Sequence, residues 1–215
     1  MARSILLTAF APWQAHQRSN SSDDLLALVA THPHCPAGVV IRRGVPVHFD
    51  LAPAQVMAQA LALRPALVVC CGMAETRSHL TLEQFGRRGD RCLQTRLDLS
   101  SLTRGLALTR ISEDAGDYVC NHLYYHLLRD LPRHLPQCQG LFIHVPKLHR
   151  RVQPWLLLDF LTVLTRLRAI ADGQEPPRES HLQRPQKNLP LAGRGQSQGS
   201  LAITSIASAT LKSRL

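Results

Sequence analysis

Aromatic side chains are scarce in this chain, at 5% of 215 residues. A nucleic-acid-binding reading is thereby left without interleaved stacking residues, and no recognition-helix or RNA-binding signature replaces them. No apolar run reaches the roughly 18–20 residues that a membrane-spanning helix needs. No Cys-x-x-Cys pair occurs, which removes support for a zinc ribbon or a thioredoxin-like dithiol. The N-terminus has a single Arg3 before a short apolar strand and no small-residue cleavage site of the secretory kind, so a cytoplasmic location is the default. There is no internal repeat.

What is present fits one globular domain. A chain of 215 residues with 45% hydrophobic content, much of it Leu and Ala, is long enough for a sizeable core. Six cysteines are spaced poorly for a disulfide framework. Cys70 and Cys71 are adjacent in an apolar run and read as core residues, Cys35 lies in a Pro-flanked loop, and Cys92 and Cys138 fall in polar connections. Reduced thiols are expected. The formal net charge is +10, but the arginines are scattered, as in Arg42-Arg43, Arg87-Arg88 and Arg150-Arg151, and read as solvated surface. Nucleic acid is an unlikely partner.

Buried strands alternate with helical stretches. Strands are predicted over Ser4 to Ala9, Ala66 to Cys71 and Leu141 to Val145, with a weaker one over Leu106 to Arg110. Val39 to Phe49 reads as two strand pieces broken at Gly44. A helix through Thr31 is capped by Ser22 or Asp23; another from Ala52 to Leu63 is capped by Asp50 and ended before Pro65. Later helices are predicted from Cys120 to Leu131 and from Pro154 to Ala171. This pattern predicts an α/β fold, a three-layer α/β/α sandwich with a mostly parallel central sheet. The domain is expected to span 1–171. From Asp172 the composition turns to Pro, Gln, Arg, Gly and Ser, predicting a polar, disordered tail over 172–215, apart from a short helix within 201–211.

One segment carries chemistry. In Glu113-Asp114-Ala115-Gly116-Asp117-Tyr118-Val119-Cys120-Asn121-His122, a polar glycine-containing loop runs into Cys120, and an apolar helix pattern follows. A thiol in a helix's first turn meets unpaired N–H groups and the positive dipole end, which favour a thiolate. The next strand, Gly140-Leu141-Phe142-Ile143-His144-Val145-Pro146, holds a histidine near its end, and Glu83 follows the strand ending near Gly72. A cysteine, a histidine and an acid on separate elements suggest a cysteine hydrolase. Reactive groups past the carboxyl ends of strands suit an α/β sheet. Other clusters are read as incidental: His32-Pro33-His34-Cys35 as a loop, and His122 with His126 as a helix-face pair lacking a metalloprotease glutamate. No metal or cofactor is expected.

With these motifs the chain resembles the pyroglutamyl-peptidase I family, cysteine peptidase family C15. Ile5 to Trp13, Asn20-Ser21-Ser22, Val45-Pro46-Val47 and Arg64 to Gly72 match in the family's order, through to about residue 171; the Cys120 to Tyr125 and Phe142 to Pro146 segments are the most specific matches. The resemblance implies Cys120 as nucleophile, His144 as general base, Glu83 as the acid that orients it, and Arg77 as added positive charge at the oxyanion. It also implies Phe10 and Trp13 as walls of a slot for the substrate ring; Tyr118 and Val119, beside the nucleophile, are read as its floor. The implied activity is hydrolysis of the amide bond after an N-terminal pyroglutamyl residue of a peptide, through a thioester. A homo-oligomer is compatible with the resemblance, though no interface stripe stands out. The sequence departs from the family at Gln14 and Ala15, at Glu75, and across residues 84–101. Those departures motivate one alternative, a cysteine amidohydrolase of the same fold with altered acyl or lactam specificity; a second is a non-catalytic family-derived binding protein whose basic surface or tail contacts an acidic partner.

Overall fold

Strands that are apolar on both faces build the centre of the molecule. A computed structural model describes residues 3–13 and 17–177. Along the chain run β1 (Ile5–Phe10), α1 (Ser21–Thr31), β2 (Val39–Val45), α2 (Leu51–Leu63), β3 (Leu67–Met73), β4 (Leu80–Glu83), β5 (Phe85–Arg88), β6 (Arg91–Gln94), α3 (Leu99–Thr103), β7 (Thr109–Ser112), α4 (Val119–His134), β8 (Gln139–Val145) and α5 (Gln153–Ala171). Six strands form one sheet in the order β2-β1-β3-β8-β4-β7. Its pairs are parallel except β4 with β8, so β4 and β7 run against the other four.

Residues of alternate parity along each central strand feed two separate cores, as the period of two requires. Ile5, Leu7, Val69, Leu141 and Ile143 pack with α1, α3 and α5 on one face. Leu6, Phe10, Val68, Cys70 and Phe142 pack with α2 and α4 on the other. The expected three-layer α/β/α sandwich is the fold observed.

Several local expectations are corrected. Val39–Val45 is one strand, not two: Thr8 pairs with Arg42 and Phe10 with Val45, so β2 holds one extra residue in a bulge, and Gly44 there has φ 77°. Asn20 caps α1, its side chain accepting from Ser22 N at 3.0 Å. Asp50 makes no side-chain cap bond on α2; His48 Nδ1 instead accepts from Asp50 N and Leu51 N. The weaker strand shifts to Thr109–Ser112, leaving Leu106 and Leu108 as buried residues before it. Cys138 is not in a polar connection but buried at the foot of α4, where Leu135 and Leu131 cover it. All six cysteines are free, and Cys92 is exposed on β6.

A small hairpin, β5 with β6, lies outside the sheet and turns through Gly89-Asp90 between the paired Arg88 and Arg91. It rests on α4. A Cβ on Gly86 would come within 2.8 Å of the Tyr125 backbone, so only glycine permits that approach. Asn121 then acts as a strand partner: Arg87 N donates to its Oδ1 at 2.8 Å, and its Nδ2 donates to Arg87 O at 2.9 Å. The hairpin thus fixes the helix start beside Cys120. Residues 178–215, with most of the expected tail, lie outside the described residues, as do Gln14 and Ala15.

Candidate active site

His144 and Phe142 stand on the β8 face that α4 covers. Cys120 occupies the first turn of α4 and packs against the same core. Close approach of helix to sheet depends on Gly72 of β3, where a Cβ would lie 2.8 Å from Cys120 Sγ and 2.9 Å from Phe142 Cζ. Glu83 sits at the end of β4, fully buried, rather than in a loop. The antiparallel register sets Thr81 opposite His144, so Glu83 on the same face reaches the ring: Nδ1 is 2.8 Å from Oε1. That contact leaves Nε2 as the nitrogen on the far edge of the imidazole.

Cys120 and His144 line one cavity of about 480 Å³, together with Phe10, Trp13 and Tyr118. The rest of its wall comes from separate loops, including Gln17, Asn20, Val47, Met73, Glu75 and Ala115 to Asp117. Val119 is the exception among the expected lining residues. It is 1% exposed and belongs to the core beneath α4, because one residue of helix rotates the side chain by about 100° from the Cys120 direction.

Arg77 is placed differently from the expectation of an oxyanion contact. Its Nη1 donates to Thr81 Oγ1 and Glu83 Oε1, and Nη2 donates to the Asp114 carbonyl at 2.6 Å. It does not line the cavity. Arg77 therefore ties the acid to the loop that supplies residues 115–118 of the wall. Tyr124 Oη donates to the Glu83 carbonyl at 2.8 Å and fixes the same strand end from α4.

The electrostatics follow from burial. Desolvation opposes charge on Glu83, but the His144 hydrogen bond and charge outweigh it, with help from Arg77, and hold the carboxyl below its usual range. His144 is held below the ordinary histidine range because desolvation exceeds the opposing pull of Glu83. For Cys120, burial first and the Glu83 charge second push the thiol up to about 12. This corrects the expectation of a resting thiolate. Burial and the Glu83 charge act against the thiolate that the helix start favours, in the direction of a thiol beside a neutral imidazole. Among the described residues no hydrogen bond joins the two, a looseness common before a substrate closes the site.

The start of α4 keeps its donors available. Tyr118 at the N-cap is extended and makes no side-chain cap bond. The Gly116 turn ahead of it, at φ 77°, is held by Gly116 N donating to Asp114 Oδ1 at 2.8 Å. Asn20, buried at 3% and donating to Ala11 O, joins the β1 loop to the cavity wall; its place in Asn20-Ser21-Ser22 was the one available signal for it. Glu75 forms part of the rim, accepting from Gln17 Nε2 at 3.0 Å and pairing with Lys147 at 2.6 Å. Among the described residues no group of three His, Cys, Asp or Glu side chains is arranged to hold a metal. His122 and His126, read as surface or partly buried, stack on one another with centroids 4.4 Å apart. Among those residues no helix is long and apolar enough to cross a membrane.

The chain is similar to known proteins over most of its length. The family described as pyroglutamyl peptidase matches residues 95–155. The pyrrolidone-carboxylate peptidase of Cupriavidus taiwanensis is 27% identical over 215 residues, covering 82% of this chain and 99% of its own. That of Bacillus velezensis is 25% identical over 209 residues, covering 79% and 92%. The crystal structure of pyroglutamyl peptidase I from Bacillus amyloliquefaciens superposes with a TM-score of 0.68 at 21% identity, covering 80% of this chain and 99% of that one. The fold is that of this solved pyroglutamyl peptidase I structure. Over most of its length the chain is similar to the pyroglutamyl peptidase family, peptidase family C15.

Proposed function

We propose that the protein removes an N-terminal pyroglutamyl residue from peptides, with Cys120 as nucleophile, His144 as general base and acid, and Glu83 as the residue that orients the ring. The observation that carries this reading is the buried 2.8 Å contact of His144 Nδ1 with Glu83 Oε1 in the cavity that also holds Cys120. In it, His144 Nε2 takes the thiol proton as sulfur bonds to the pyroglutamyl acyl carbon, whose C=O electron pair moves onto oxygen. The N–H groups at the uncapped start of α4 receive that oxyanion, each such donor typically supplying about 2.7–4 kcal/mol of barrier lowering. The C–N bond then breaks, and the imidazolium gives its proton to the departing amine. Water, deprotonated by the same ring, adds to the thioester; the C–S bond breaks, and the proton returns to sulfur.

Arg77 serves in this scheme as a positioning residue. Its bonds to Glu83 and Asp114 O hold the acid against His144 and the cavity loop against the helix start. Phe10 and Trp13 would flank the lactam ring, with Tyr118 beside the nucleophile. A pyroglutamyl aminomethylcoumarin amide should be hydrolysed by the wild type, and Cys120→Ser should reduce turnover to background. Equal rates for the two proteins would overturn the assignment. Trp13 and Glu75 in the wall favour, as a second reading, a same-fold amidohydrolase for a different acyl group. A screen of N-acyl amides in which another acyl group outruns pyroglutamyl would select that reading.

A further inference from the structure

The cavity that holds Cys120 does not end at a closed rim. From it a line of rings continues over the outside of α4: Trp13 and Tyr118 have centroids 5.1 Å apart, Tyr118 meets Phe49 at 5.6 Å, and Phe49 meets His122 at 5.1 Å. These are not core residues. Trp13 is 47% exposed, Tyr118 44% and Phe49 42%, in a chain whose aromatic content is only 5%. Exposing that much apolar ring surface in a row costs solvation without contributing to packing, and a contiguous exposed apolar surface marks a binding site. At its far end the row opens on a second hollow of about 270 Å³, lined by Phe49, Pro53, Met57, His122 and His126 and by the carboxylates Asp50 and Asp130. The His122 and His126 rings there are held neutral, burial and the Arg88 and Arg129 charges keeping both below the ordinary histidine range. The hollow therefore offers aromatic and thioether surface beside the Asp50 and Asp130 carboxylates.

We propose that this aromatic row is the binding track for the peptide downstream of the scissile bond, and that it selects pyroglutamyl peptides with an aromatic or large apolar residue at their second position. This inference rests on the function proposed above. Two geometric points choose the substrate's own leaving segment as the occupant. The row is continuous with the reaction cavity, since Trp13 and Tyr118 belong to both. Its rings, 5.1 to 5.6 Å apart, also leave no gap along which an extended chain, with same-face side chains about 6.6–7.2 Å apart, would lose apolar contact. The cavity of about 480 Å³ has room beyond a single five-membered lactam, and Tyr118 is part of its lining.

The experiment compares KM for pyroglutamyl-phenylalanyl-leucine amide and pyroglutamyl-glycyl-glycine amide on the intact protein, then on Phe49→Ala and Phe49→Tyr. One aromatic contact of the usual strength corresponds to about a threefold to tenfold gain in affinity. The wild type is expected to show a gap of that order in favour of the aromatic peptide, Phe49→Ala to close it, and Phe49→Tyr to restore it. Equal KM values for the two peptides on an active wild type would overturn the track and leave the proposed function standing. Hydrolysis of neither peptide would overturn both. Sedimentation that finds a dimer dissolved by Phe49→Ala, with the KM gap unchanged, would assign the rings to self-association and overturn the track as well.

Discussion

At the scale of single residues, two opposing influences act on His144, and their balance sets when the site can work. Burial disfavours the imidazolium, while Glu83 at 2.8 Å favours it; burial wins, and the ring's titration falls below its ordinary value of about 6.5. In the proposed reaction the neutral ring is the base, so kcat/KM should rise with pH through a midpoint below 6.5 and stay level to pH 9, because the thiol is pushed up to about 12. A resting thiolate–imidazolium pair would instead lose activity as the imidazolium deprotonates on the alkaline side. Glu83→Gln retains the side-chain shape but removes the charge that raises His144. The acid limb should then move to lower pH and the plateau fall by about 10²–10⁴-fold, since the imidazolium formed on the path loses its partner. A pH–rate profile of both proteins, with circular dichroism to confirm folding, checks the pair of effects. An unmoved acid limb would mean that Glu83 does not act through the ring. The same balance explains what the residues alone did not reveal: Cys120 is recognisable from its loop and helix start, but a thiol's ionisation depends on what covers it, and Gly72 and Phe142 come from other strands.

At the scale of elements, legibility followed hydrophobic pattern. β1, β3 and β8 are buried on both faces and read as continuous apolar runs, and α1 and α5 follow a helical period, so each is visible within a residue or two. β4 is not, because Thr81 and Glu83, the half of it facing His144, are polar for the sake of the site. The β5–β6 hairpin is rich in arginine and is held by Asn121 and the back of α4, which no local pattern encodes. Cavity walls drawn from five separate segments are beyond sequence periodicity for the same reason. α5 hides a further device. Buried Asp159 accepts from Leu108 N at 2.7 Å and Thr109 Oγ1 at 3.0 Å, clamping the entrance of β7 to the helix. Asp159→Ala leaves a buried N–H without its partner, at a cost of about 2–3 kcal/mol. In a protein of this size that is a fall in Tm of about 5–10 °C. Thermal unfolding reads the loss, whereas kcat at 25 °C should hold, because β7 supplies no cavity residue.

For the molecule as a whole, the question is where the folding unit stops. Composition alone sets the boundary near residue 171, at the last apolar turn of α5. The hydrogen bonds place further groups in the unit. Arg166 is 1% exposed, and its guanidinium donates to the carbonyls of Leu102 and Arg104 at 2.9 Å and of Pro177 at 3.1 Å. Asp172 pairs with Arg168, and Gly173, at φ 76°, lets Gln174 N return to Ala169 O and close the helix end. A chain ended after Ala171 therefore loses the closure of α5 and one acceptor of a buried cation, whereas a chain ended after Pro177 keeps both. We expect the longer truncation to retain kcat/KM within about twofold of the full protein, a change of under about 0.5 kcal/mol. The shorter one should unfold earlier, since an unmet buried charged donor costs about 1–3 kcal/mol, or several degrees in Tm. The segment removed in the longer truncation carries six of the 25 basic residues and one of the 15 acidic ones, so half of the formal charge of +10 goes with it. Retained activity in that protein would separate the basic character of the chain from its chemistry: the charge would belong to the last 38 residues and the scaffold's surface, and cleavage to a cavity enclosed by residues 10–144. A loss of activity in the 177-residue protein, with its unfolding unchanged, would show that the segment beyond Pro177 contributes to the reaction.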